Sequence, residues 1–259
     1  LGSKRVKALV ARGAQKPEYA DAGIFRATVK ELTPIIKQHQ AGASRYGTTG
    51  GMTGTELRGD LPIHNWAGGS FVEGAHALSG QVLREKYVIK DTFCHACPIG
   101  CGKLIEIKEG PYAGVRGEAA EYETVAALGS ILDIDDLEAV NRANEICNRM
   151  GIDTISAGSI AGFAFEAFEA GLISTEETDG VPLIWGSVEA LFKVLELLLE
   201  SRGAGAYLAR GVRAAAAHLG NGSEVYAVHV KGLEIAYHDP RAFFSMAASY
   251  ATANRGGCH

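Results

Sequence analysis

The spacing of hydrophobic residues changes character near residue 118. Before it, short patterns of two kinds alternate with loops. Val6, Ala8 and Val10 alternate with polar neighbours and predict a short strand over 4–12. Ala22, Phe25, Val29, Leu32, Ile35 and Ile36 recur at helical steps and predict a helix over 22–39. Seven glycines and Pro62 punctuate 47–70, around Asn65-Trp66, and predict a loop. Residues 71–85 are weakly helical, and Leu104, Ile105 and Ile107 form a strand-like piece.

Beyond 118 the helical period dominates, starting with 121–130. Asp135 or Asp136 is placed to cap a helix carrying Leu137, Val140, Ile146 and Met150 on one face, and Gly151 stops it. A second helix runs over 156–171 through Ile160, Phe163, Ala164, Ala167 and Phe168. Ser187 caps a third, through Leu191, Leu195 and Leu198. A fourth covers 204–218, with Gly220 as its stop. Val225–Val228 reads as a strand and 242–254 as a last helix. The expected fold class is mainly α with a few short strands, without tandem repeats.

Composition narrows the partners. The chain of 259 residues suffices for one large domain or two ordinary ones. A net charge of −5 gives no reason to expect nucleic acid or a membrane surface. The longest apolar runs are broken by Glu166 and Glu169 or by Lys193 and Glu196, short of a membrane span. The chain opens at Leu1 without Met and stops at Arg255-Gly256-Gly257-Cys258-His259, so a piece of a longer polypeptide is expected.

Chemistry concentrates at Cys94-His95-Ala96-Cys97-Pro98-Ile99-Gly100-Cys101, which holds three of the five cysteines. C-x2-C-x3-C turns soft thiolate ligands towards one centre. Zinc needs a fourth ligand, usually from a second pair within about 12–20 residues, and none follows here. A [4Fe–4S] cube draws its fourth thiolate from afar more readily. Iron–sulfur and zinc both stay open on spacing, with iron–sulfur preferred. A disulfide with a spare thiol is disfavoured by the odd cysteine count. His95, beside Cys94, reads as a loop residue.

Other signals are weaker. Glu121-Tyr122-Glu123 puts two carboxylates at a helix start, where acids suit the dipole in any case. Asn148-Arg149-Met150-Gly151-Ile152-Asp153-Thr154 is a helix end followed by a carboxylate, which also suits a flat ligand offering paired N–H donors.

Taken in order, these segments resemble the tungsten-containing aldehyde:ferredoxin oxidoreductases. The matching stretches are Leu1–Ala8, Asn65-Trp66, the Cys94–Cys101 loop, Glu121–Thr124, Gly151–Ser156, Lys231–Glu234, Asp239-Pro240-Arg241 and Tyr250–Gly256. The resemblance implies a cytoplasmic enzyme oxidising a small aldehyde to a carboxylic acid at a tungsten (or molybdenum) bis-pterin centre. Electrons would pass through a [4Fe–4S] cluster to ferredoxin or another electron-transfer subunit. Residues 1–12 would be the tail of an N-terminal pterin-base domain, 13–225 a helical second domain, and 226–259 the beginning of a third. A homo-oligomer stays open.

By the same resemblance, Cys94, Cys97 and Cys101 bind the cluster, and Cys258 is not its fourth ligand. Gly151, Ile152, Asp153 and Thr154 match a pterin loop, D-x-x-G-L-D, in which Asn148 replaces the leading Asp. Arg255 joins the cofactor-binding set. Glu123, with Glu121 beside it, matches a general base towards water, and His259 a proton donor to the carbonyl oxygen. Two departures stand out. The family's Glu-x-x-His iron pattern is absent from the helix containing Glu145, and Pro-Ala-Tyr before Asp-Pro-Arg reads Ala236-Tyr237-His238 here. The rival readings are a family member acting on carboxylates or aromatic thioesters, a non-catalytic electron-transfer fragment, and a zinc-structured domain.

Overall fold

The computed structural model describes residues 6, 8–15 and 17–258, in two compact units, Leu1–His39 and Gln40–His259. In the first, Asp21 Oδ1 accepts from the backbone N–H groups of Gly23 and Ile24 and starts α1 (Ala22–His39), with the bounds expected from spacing. Its apolar positions Ile24, Phe25, Val29, Leu32 and Ile35 are exposed. The strand expected over 4–12 does not form among its described residues, 6 and 8–12. Alternation marks a side-chain pattern, but a strand needs a hydrogen-bonded neighbour as well.

The second unit opens with α2 (Ala41–Tyr46), a 3-10 turn (Thr48–Gly51) and α3 (Met52–Leu57). The stretch expected as pure loop thus carries helix, held by the fully buried Met52. Next come α4 (Val72–Ala77) and α5 (Gly80–Lys86). An antiparallel sheet follows, β1 (Val88–Thr92), β2 (Gly102–Glu106) and β3 (Arg116–Glu118), with Thr92 opposite Gly102 and Leu104 opposite Glu118. Cys94, Cys97 and Cys101 lie in the connection between β1 and β2.

The helical body is α6 (Tyr122–Leu128), α7 (Leu137–Met150), α8 (Thr154–Glu169) and α9 (Val188–Glu200). Asp136 caps α7 by accepting from Glu138 and Ala139 at 3.0 Å each, and Ser187 caps α9 by accepting from Ala190 at 3.2 Å. Gly151, left-handed at φ 75°, ends α7. Helix α8 is apolar nearly all round and runs through the core, with Phe163 and Phe165 fully buried. Burial of such a side chain is worth about 1.5–3 kcal/mol. Gly158 lets α8 lie against α6, since a Cβ there would meet the Ala127 carbonyl oxygen at 2.1 Å.

Two expectations fail towards the end. The single helix over 204–218 is α10 (Gly205–Leu208) and α11 (Val212–Leu219), separated where Gly211 takes φ 88° and ψ 161°. Val225–Val228 is not a strand: Ser223–Tyr226 is a 3-10 turn after left-handed Asn221 and Gly222. Strand pairing starts later, with β4 (His229–Val230) and β5 (Leu233–Glu234), before α12 (Phe244–Thr252). Helix outweighs strand, as expected. No helix among the described residues is long and apolar enough to cross a membrane.

Candidate functional site

The three clustered cysteines lie on one loop, Cys94 exposed and Cys97 and Cys101 half-buried. The Cys97 N–H donates to the Cys94 carbonyl at 3.1 Å, and Ala96 and Gly100 take left-handed conformations at φ 56° and 68°. Among the described residues no three His, Cys, Asp or Glu side chains are gathered to hold a single metal ion. The loop is fastened from behind by Lys103, only 3% exposed. Its Nζ donates to the Gly100 and Ser44 carbonyls at 2.8 Å each and lies 3.0 Å from Asp91 Oδ1. Hydrogen bonds from Arg84 and Lys103 hold the Asp91 carboxyl below its usual range. Lys103 was missed from the sequence, although a signal existed: it shares the inward face of β2 with Ile105, in step with Ile107 just beyond the strand.

The segment 44–48 touches both this loop and a cavity. A Cβ on Gly47 would come within 3.1 Å of the Cys101 carbonyl oxygen. One residue on, Thr48 Oγ1 donates to Glu121 Oε2 and accepts from the Tyr122 N–H at 2.9 Å. The cavity measures about 460 Å³ and is lined by Thr48, Thr55, Glu121, Tyr122, Glu123 and His238. Glu121 and Glu123 therefore open one space from the start of α6. Glu123 Oε2 accepts the Tyr237 N–H at 2.7 Å.

The wall formed by 236–238 is clamped by three buried phenols. Tyr122 donates to the Tyr237 carbonyl at 2.8 Å, Tyr250 to the Ala236 carbonyl at 2.9 Å, and Tyr237 to the Ile155 carbonyl at 3.0 Å. Burial pushes all three well above the ordinary phenol value, so they stay neutral donors. Trp66 stacks on Tyr237 at 5.8 Å between centroids, and Arg241, paired with Asp239, donates to the Trp66 carbonyl at 2.7 Å. Asn65-Trp66 and Asp239-Pro240-Arg241 thus frame this wall.

The remaining expected residues fall elsewhere. Asn148 donates to Asn144 Oδ1 at 3.1 Å and lines a groove with Arg116, Glu145 and Arg149. Gly151 and Ile152 form the α7–α8 turn, both N–H groups donating to the Cys147 carbonyl. Asp153 Oδ2 caps α8 by accepting the Ser156 N–H at 2.9 Å. The Thr154 hydroxyl meets that of Thr124 at 2.8 Å, tying the start of α8 to α6. Arg255 contacts Cys258 Sγ at 3.6 Å. Buried Cys147 has its thiol pushed up to about 11 by burial, with Asp153 adding to the shift. His259 lies outside the described residues.

Residues 27–259 match the family described as aldehyde ferredoxin oxidoreductase, domains 2 and 3. The chain belongs to that family. It is 35% identical over 263 residues to the tungsten-containing aldehyde ferredoxin oxidoreductase of Thermococcus kodakarensis, and equally so to that of Pyrococcus furiosus. It is 31% identical over 270 residues to an aliphatic sulfonate oxidoreductase, WOR-like subunit, also of Pyrococcus furiosus. All of this chain is covered in each case, and it spans 42% of each relative's length. Among solved structures, the BamBC active-site complex of benzoyl coenzyme A reductase, with 1,5-dienoyl-CoA, superposes with a TM-score of 0.62. That match is 24% identical and covers 76% of this chain and 30% of the other, a likeness of fold. The aldehyde ferredoxin oxidoreductase family accounts for the order of the sequence segments. It left two side chains of the cavity region unflagged as candidates: His238, and Asp60, which binds it.

Proposed function

We propose that the chain works within an enzyme that oxidises small aldehydes to carboxylic acids, R–CHO + H2O → R–COOH + 2 electrons + 2 protons. The observation that carries this is the junction at 44–48, which touches a thiol-rich loop on one side and a carboxylate-lined cavity on the other. Glu123, with Glu121 beside it, is the base that takes the proton of the attacking water. His259 is the proposed proton donor to the carbonyl oxygen. Cys94, Cys97 and Cys101 would hold a [4Fe–4S] cluster, which would supply one-electron chemistry towards ferredoxin or another electron-transfer subunit. A bis-pterin tungsten (or molybdenum) group supplies the two-electron chemistry when bound.

The residues fit those groups. Three thiols on one loop suit an iron–sulfide group, and the Lys103 ammonium behind them suits its negative charge. A cluster also asks less mutual approach of its thiolates than one ion does, because each binds a different iron. Asp153 uses Oδ2 as a cap, while Oδ1 has no protein partner among the described residues and is open to paired N–H donors. Gly151, Ile152 and Thr154 shape that turn, with Asn148 and Arg255 completing the set. Residues 1–12, 13–225 and 226–259 would then fall in the tail of a first domain, a second domain and the beginning of a third.

The full-length gene product, made without oxygen, tests this. Expected are bound iron and tungsten, and aldehyde-dependent reduction of a viologen dye. Glu123→Gln should lower turnover by roughly 10²–10⁴-fold at unchanged metal content. An enzyme carrying both metals that leaves a panel of aliphatic and aromatic aldehydes untouched overturns the aldehyde reading.

A further inference from the structure

Each aldehyde oxidised releases two protons, and a base that has taken one must lose it before the next turnover. Glu123 is half-buried and held by the Tyr237 N–H, so its route to solvent matters. The next residue is His238, whose side chain lines the same cavity and is 26% exposed. His238 Nδ1 lies 2.9 Å from Asp60 Oδ2. The Asp60 carboxylate is 8% exposed, and its Oδ1 is buried without a hydrogen-bond partner. Among the described residues the imidazole is thus the sole side-chain partner of a buried carboxylate. Because a carboxylate only accepts, Nδ1 carries the proton and Nε2 is the basic nitrogen.

Two aromatic side chains hold the ring. It stacks on Tyr122 at 4.8 Å between centroids and meets the edge of Phe243 at 5.5 Å. The Asp239 N–H donates to the Asp60 carbonyl at 3.0 Å, and the Tyr250 hydroxyl, whose one proton is shared with the Ala236 carbonyl, lies 3.2 Å from the His238 carbonyl. The charged and titratable groups around it are Asp60 and Arg58 after α3, Glu121 just before α6, Tyr122 and Glu123 on α6, Asp239 and Arg241 just beyond, and Tyr250 on α12. Four of these are carboxylates and two are guanidinium groups, and neutral phenols take no part in charge.

We propose that His238, oriented by Asp60, is the proton relay that returns Glu123 to its carboxylate form. This rests on the aldehyde-oxidation reading. Protonated Glu123 gives its proton, directly or across one water, to His238 Nε2. The imidazolium, balanced by Asp60, then loses a proton to solvent buffer. Glu123 ends ionised and His238 neutral; no electron moves and no bond but N–H and O–H is made or broken. Asp60 acts as a positioning residue.

The test uses the full-length holoenzyme. His238→Gln should lower kcat by roughly 10²-fold, the lower end for proton-transfer groups, with KM and metal content unchanged. Added imidazole, small enough for the cavity, should restore much of the loss, and Asp60→Asn should also lower kcat, by less, with KM unchanged. Histidine-selective 15N labelling gives a readout independent of turnover. The resonance lost in His238→Gln should show an unprotonated Nε2 in the neutral ring, and Asp60→Asn should weaken that tautomer preference. Wild-type enzyme inert to aldehydes with this resonance as described sinks the reading of function and leaves the Asp60–His238 couple standing. Turnover of His238→Gln within about threefold of wild type, a loss that imidazole does not restore, or a protonated Nε2 in the neutral ring overturns the relay.

Discussion

The cysteine loop and the cavity beside it are built on opposite plans. The loop brings its reactive groups from eight consecutive residues, and one buried cation behind it, Lys103, fastens it. The cavity draws on Thr48, Thr55, Glu121, Glu123 and His238, with Asp60 behind, from segments far apart in the chain. Its side chains are held by paired hydrogen bonds and stacked rings. The loop's chemistry is therefore local and its support is a single point. The cavity's chemistry is distributed and its support is redundant. Damage to the first should be sharp, and damage to the second graded.

The largest contrast should come from the ligands themselves. Cys97→Ala in the full-length protein should abolish iron incorporation, read by metal analysis and by the loss of visible absorption, because three thiolates on one loop have no local substitute. Thr48→Ala, a comparable single change at the cavity, should leave iron in place. Equal iron in Cys97→Ala and wild type would end the ligand assignment.

Next in size is Lys103→Met. It strips the buried Gly100 carbonyl and the half-buried Ser44 carbonyl of a donor and leaves Asp91 with Arg84. Unsatisfied buried groups cost about 1–3 kcal/mol. The expected result is a lower melting temperature and faster proteolysis within 94–101, while cleavage elsewhere is unchanged. An unaltered melt would reduce Lys103 to a spectator.

Asp153 separates cap from ligand at smaller cost. Asp153→Ala removes the N-cap of α8 and should cost about 1 kcal/mol. Asp153→Ser keeps a capping oxygen and should restore most of that stability. If the carboxylate also serves a cofactor, both variants should lose tungsten and pterin alike. Cofactor content that follows stability from one variant to the other would make Asp153 a cap and nothing more.

The smallest effect is on pH. Asp91 is held below the ordinary carboxylate value of about 3.9 by Arg84, then by Lys103. Its contribution is therefore fully present above that value and is lost as pH falls through the lowered one. As pH falls below about 4, wild type should lose melting temperature that Asp91→Asn has already lost, so the two curves should converge. Parallel curves would show that the pair carries no proton linkage.

What was readable in the sequence follows the same division. The cysteine spacing, the Asp136 and Ser187 caps and the Gly151 stop are short-range signals, and the helices they bound stand as expected. Gly211 broke a helix because apolar spacing continues across a residue whose backbone does not. Val225–Val228 is β-prone by composition, yet the left-handed turn before it sets a 3-10 path. Glu123 was found through the resemblance, and its bond to Tyr237, 114 residues away, has no local signature. Asp60 and His238, 178 residues apart, were invisible as a pair for the same reason.

The close crossing at Gly158 has a consequence for how this architecture diversifies. It presses α8 onto the backbone of α6, and the Thr124–Thr154 hydroxyl pair joins the two helices at their starting ends. Glu123 and Asp153 sit at those same ends, so their separation is a dimension of the core. No side-chain swap on the surface can adjust it. Selection for a new substrate must therefore work on parts hung from that frame, such as the 236–238 wall, where Ala236-Tyr237-His238 already differs from the family's Pro-Ala-Tyr. A rigid chassis with interchangeable lining is a way for one ancestral oxidoreductase to supply many chemistries without renegotiating its folding.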